Sequence, residues 1–71
     1  MTLQQLRFLR EIARQSLNIS NAAMVLHTSQ PGVSRQIQLL ERELGVQLLQ
    51  RRKNRILGFT LAGREILQSA Q

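Results

Sequence analysis

Leu3, Leu6, Leu9, Ile12 and Ala13 recur every three or four residues at the start of the chain, the spacing of a helix that buries one face. Thr2 and Gln5 have the spacing of a capping box, so the pattern predicts a helix from Leu3 to about Gln15. Arg7, Arg10 and Arg14 fall off the apolar stripe, towards solvent or a partner. Ser20 is a suitable N-cap for a short second helix over Asn21 to Leu26, with Ile19 and Met24 spaced as a hydrophobic staple. Ala22 and Ala23 are small enough for another helix to cross close by. After His27, Thr28 and Ser29 a third apolar stripe begins: Val33, Ile37, Leu40 and Leu44. Thr28 or Ser29 can cap this helix, Pro31 fits its first turn, and Gly45 can end it with positive φ. Pro31, Arg35, Gln38 and Arg42 lie opposite the stripe, and Leu39 points aside as a dimer contact or an exposed residue.

Beyond Gly45 the period changes. "VQLLQRRKNRILGF" has apolar residues on both sides of a basic centre. It predicts a hairpin with strands over Gln47–Gln50 and Ile56–Phe59, a tip over Arg52–Arg55, and Asn54 as the turn former. Thr60 then caps a fourth helix from Leu61 onwards. Helix, three-residue turn, helix and basic hairpin together predict a mainly α winged helix-turn-helix: a three-helix core, a small β-hairpin wing and the start of a further helix. Such a fold explains why Pro31 and Gly32 stand at the head of the third helix. A helix that enters the DNA major groove touches base edges with its first turn. Short side chains and bare N–H groups there let the nucleic acid come close.

Charge sharpens this expectation. The net charge is +6, and residues 50–60 supply four of those charges through Arg51, Arg52, Lys53 and Arg55 with no acid among them. That clustering points to a polyanion. Arg35 and Arg42 could instead pair with Glu41 or Glu43 on their own helix, and the wing run could be a solvated tip. His27 is a turn or packing residue; one His without Cys or Asp builds no metal site. No catalytic constellation and no glycine-rich phosphate loop is present, so neither an enzyme nor a cofactor is expected. The uncharged stretch over residues 15–34 is broken by polar residues and does not read as a membrane span. The absence of cysteine and of a secretory segment makes a cytoplasmic location the default. The alternative is a non-specific RNA or single-strand binder, which would need stacking aromatics; Phe8 and Phe59 are the only ones and suit a core.

"AA..L..SQPGVSRQI..LE.ELGVQL" and the step Thr60-Leu61-Ala62-Gly63 resemble the N-terminal DNA-binding domain of LysR-type bacterial transcriptional regulators. The resemblance covers nearly the whole chain. "TLQQLRFL", "LNIS" and "HTSQPGVSRQ" are most similar to the CysB-type branch, which controls sulfur acquisition. Two positions depart from the family pattern: Leu49 stands where phenylalanine is commoner, and Phe59 where leucine is usual. The resemblance implies a DNA-binding domain over residues 1–59 and the start of a dimerisation linker helix over residues 60–71. It further implies a homodimer or homotetramer in a regulator of about 300 residues, of the size multi-domain chains reach, with a separate domain that senses a small inducer. Carried over by position, Gln30, Pro31 and Ser34 face bases and Arg35 reaches phosphate or a base edge. Thr28 and Ser29 hold the sugar-phosphate backbone, and Arg51, Arg52, Lys53 and Arg55 lie on backbone or in the minor groove. Gln38 joins the candidate DNA-binding residues from its place opposite the apolar stripe. The expected ligand is double-stranded DNA carrying an interrupted inverted repeat.

Overall fold

The computed structural model describes residues 1–53 and 55–70. Helix α1 (Leu3–Arg14) starts at the expected capping box: the Thr2 hydroxyl accepts from the Gln5 N–H at 3.0 Å, and the Gln5 side-chain oxygen accepts from the Thr2 N–H at 3.1 Å. Its buried face is rotated from the expected stripe. Phe8, Leu9 and Ile12 enter the core with the stem of Gln5, whereas Leu3 is 80% exposed.

Helix α2 (Ile19–Val25) begins two residues earlier than its pattern indicates. Asn18, not Ser20, is the cap: its side-chain oxygen accepts from the Asn21 N–H at 3.0 Å. The staple is absent, because Met24 is 74% exposed while Ile19 packs on the core. Ala22 and Ala23 are buried as expected, and their small size lets α2 cross α3 closely.

The turn to α3 (Gln30–Leu44) is a Schellman motif without glycine. His27 has φ +56° and donates its N–H to the Met24 carbonyl, and Thr28 donates to the Ala23 carbonyl at 3.0 Å. A left-handed conformation costs an L-residue about 1–2 kcal/mol. The His27 side chain is exposed, so little packing offsets that cost. His27→Gly is therefore expected to raise stability by about 1 kcal/mol in urea unfolding; a loss would show that the imidazole is needed in the turn.

Ser29 caps α3 by accepting from the Gly32 N–H at 3.0 Å, and Pro31 lies in the first turn. Val33, Ile37 and Leu40 are fully buried, but Leu44 is partly exposed. Gly45 ends the helix at φ +73°, as its position predicts.

The wing consists of β1 (Leu49–Arg52) and β2 (Arg55–Phe59), antiparallel. β1 is displaced by two residues from its expected range, whereas β2 ends where expected and starts one residue earlier, so Arg52 and Arg55 are strand residues and not part of the tip. Asn54, the expected turn former, lies outside the described residues. Gln47 and Leu48 belong to a junction instead. The Gln47 carbonyl accepts from the Thr60 hydroxyl at 2.6 Å, and the Leu48 carbonyl accepts from the Thr60 N–H at 3.0 Å. Gln50 pairs with Gly58 and Arg51 with Ile56, so Leu57 is the extra residue of a bulge. Helix α4 (Leu61–Ala70) follows, with Thr60 as its cap through the Gly63 N–H at 3.1 Å. It packs on α1 and β2, and Leu67 completes the core with Leu48 and Leu49.

Candidate nucleic-acid interface

The N-terminal end of α3 and the wing enclose a groove of about 290 Å³. Gln30 and Ser34 line it from the helix, Arg51, Lys53 and Arg55 from the wing, and Ile19 and Ile56 complete the lining. Five of the residues expected to touch DNA thus converge on one concave surface, although they lie up to 25 positions apart in the chain. Pro31 and Arg35 are exposed beside it. Gln38 lies further along α3, in a second hollow shared with Arg42, Glu41 and Arg51. Thr28 lies in a separate hollow with Arg7, Leu3 and His27. Ser29 is exposed, but its hydroxyl is already used as the α3 cap. Arg52 lies outside these hollows, at the end of β1.

The wing cations are not equivalent. Arg52 faces Arg55 directly across the strands, and like charges opposite one another destabilise a hairpin. Bringing an anion to that tip relieves the repulsion. Arg51 is different: its guanidinium donates to Glu41 at 3.0 Å. The expectation that the wing has no acid nearby holds along the chain and fails in space. Glu41 does not pair with an arginine of its own helix. It is 9% exposed and turned to the wing, because it also accepts the N–H groups of Leu48 and Leu49 at 2.7 and 3.1 Å. Glu43 pairs with the N-terminal amine of Met1.

Two contributors carry no signal along the chain. Ser20, on α2, accepts from the Gln30 amide at 2.6 Å. Arg7 extends basic surface past the turn towards Thr28; its sequence position shows only that it leaves the apolar stripe. Phe8 is buried and Phe59 packs on the core, so neither ring is available to stack on a base. Among the described residues there is no group of three metal-ligating side chains, and no helix is long and apolar enough to cross a membrane.

Three helices with a tight turn before an exposed polar helix start, followed by a cationic hairpin, define a winged helix-turn-helix protein. Residues 3–64 match the bacterial regulatory helix-turn-helix protein, lysR family, and the chain belongs to that family. It is 45% identical over 71 residues to the HTH-type transcriptional regulator CysB of Haemophilus influenzae. It is 52% identical over 68 residues to the HTH-type transcriptional regulator SsuR of Burkholderia cenocepacia. These alignments cover 100% and 96% of this chain and 22% of each relative; the chain therefore spans about a fifth of the length of the regulators it matches. Among solved structures, the CbnR DNA-binding domain in complex with DNA superposes with TM-score 0.86 and 41% identity, covering 99% of this chain and 78% of that one.

Proposed function

We propose that this chain is the part of a LysR-type transcriptional regulator that reads double-stranded DNA. The groove carries the proposal: it sets the small polar first turn of α3 and the wing cations on one side of the molecule. In this arrangement α3 enters the major groove, Gln30, Pro31 and Ser34 meet base edges, and Arg35 and Gln38 flank them. Thr28 and Ser29 hold the adjoining backbone. Arg52, Lys53 and Arg55 take phosphates or the minor groove, while Arg51 supports the wing from Glu41. Residues 1–59 form the DNA-binding unit, and residues 60–71 begin a helix that pairs two copies. The regulator acts in the cytoplasm as a dimer or tetramer, catalyses no reaction and takes its inducer on a domain outside this chain. Its likeness to CysB and SsuR supports genes of sulfur assimilation as targets.

Selection of duplexes from a random pool tests the proposal. The expected product is an interrupted inverted repeat with half-sites about one helical turn, or a multiple of it, apart. Arg52→Ala should then weaken all duplexes alike and reduce the salt slope by about 0.9 for one lost phosphate contact. Binding that fades as salt rises and enriches no sequence would overturn it.

A further inference from the structure

The Gln30 side chain does not hang free over the groove. Its Nε2 donates to the Ser20 hydroxyl at 2.6 Å, across ten positions of sequence and from one helix to the next. Ser20 is free for this because Asn18 has taken over the capping of α2. Both residues are exposed, so the bond is not imposed by burial. A carboxamide has two N–H donors and one acceptor oxygen. With Ser20 on the N–H anti to the carbonyl oxygen, the syn N–H and the oxygen are left side by side. Adenine presents the matching pair in the major groove, N7 as acceptor and the N6 amino group as donor.

We propose that Ser20 is a positioning residue for base reading: it holds the Gln30 amide with its adenine-matching edge turned to the groove. This rests on the DNA-reading function above and assigns part of the specificity to a residue on the supporting helix. Glutamine is among the side chains that lose most rotamer freedom when ordered. An amide already held by Ser20 loses less on binding the right base, whereas a free one can rotate to suit others.

The test compares the wild-type chain with Ser20→Ala, Ser20→Thr and Gln30→Ala. Each is titrated against the selected duplex and its single-base-pair variants, with thermal melting as a control for folding. Gln30→Ala should lose an adenine preference of about tenfold at one position of the half-site. Ser20→Ala should cut the preference at that same position to about threefold or less while melting as wild type. Ser20→Thr, which keeps the hydroxyl, should retain it. If Ser20→Ala keeps the full preference, or weakens every duplex equally, the positioning role is overturned. The same holds if Gln30→Ala leaves every base preference intact. A wild-type chain that prefers no sequence would instead remove the DNA-reading function, and the positioning role with it.

Discussion

Glu41→Ala is expected to be among the most damaging single substitutions in the chain, lowering stability by about 3 kcal/mol. One carboxylate oxygen accepts the N–H groups of both Leu48 and Leu49, and the other accepts from Arg51. Leu48 and Leu49 are fully buried, so water cannot replace the lost acceptor. An orphaned buried donor costs about 1–3 kcal/mol, and two would be created. A domain of this length holds only about 4–10 kcal/mol in total, so the variant should be close to unfolding at body temperature. Glu41→Gln separates the contributions. Its single carbonyl oxygen can still serve both N–H groups, because they share one oxygen here, and only the Arg51 pairing is lost. Arg51→Ala, at a partly solvated site, should cost about 1 kcal/mol or less. Urea unfolding followed by circular dichroism should rank Glu41→Ala worst, then Glu41→Gln, then Arg51→Ala. A Glu41→Ala protein within about 1 kcal/mol of wild type would show that the wing is held mainly by apolar packing.

The Glu41 case also shows why some features are legible along the chain and others are not. Helix α3 is readable end to end because its cap, its proline, its apolar spacing and its terminal glycine all carry local signals. Glu41 carries none, since its principal partners are backbone N–H groups, and every residue but proline has one. The other two helix ends of the core are hidden for a related reason. Ser16, Leu17 and His27 adopt positive φ without being glycine or asparagine. At the end of α1, Ser16 donates to the Ala13 carbonyl and Leu17 to the Ile12 carbonyl, the same Schellman pattern as at His27. Burial of Leu17 on the core offsets the strain there. A propensity scale sees the unfavourable residue; it does not see the packing that outweighs it.

Of the candidate site, the residues are legible in the sequence and the division of labour is not. Gln30 and Ser34 are identifiable from their place near the N-terminal end of α3, and the wing cations from their clustering. That Arg51 faces inward to Glu41, and that Ser20 serves Gln30 instead of capping α2, depends on which helices cross. The two departures from the family pattern find a plain physical account. Leu49 and Phe59 are direct partners across the hairpin. One leucine and one phenylalanine still fill the space between wing and core, with their strands exchanged, so the summed side-chain volume is kept.

Gly63→Ala is expected to cost about 2–3 kcal/mol, for a reason that involves no positive φ. A Cβ at residue 63 would stand 2.3 Å from the carbonyl oxygen of Leu48 and 3.2 Å from its carbonyl carbon. Both atoms are backbone, so no side chain can swing aside. The Leu48 carbonyl is itself held, accepting from the Thr60 N–H at 3.0 Å, while the Thr60 hydroxyl spans from the Gln47 carbonyl to the Gly63 N–H. Thr60 and Gly63 therefore act as one device: the threonine starts α4 and ties it to the chain entering the wing, and the glycine lets the two backbones touch. An added methyl group must either break those bonds or lever α4 off α1, exposing Leu67 and the adjoining Leu48. Gly58→Ala is the matched control, because a Cβ there meets nothing within 4 Å; on the bulged strand β2 it should be neutral or stabilising by about 0.5 kcal/mol. Thermal melting of the two variants tests the difference. Equal melting temperatures would mean that α4 can shift at no cost, and that the contact at Leu48 does not set its angle. If Gly63→Ala alone falls, restoring the cap hydrogen bonds cannot rescue it, since the obstacle is the methyl group and not the loss of a partner.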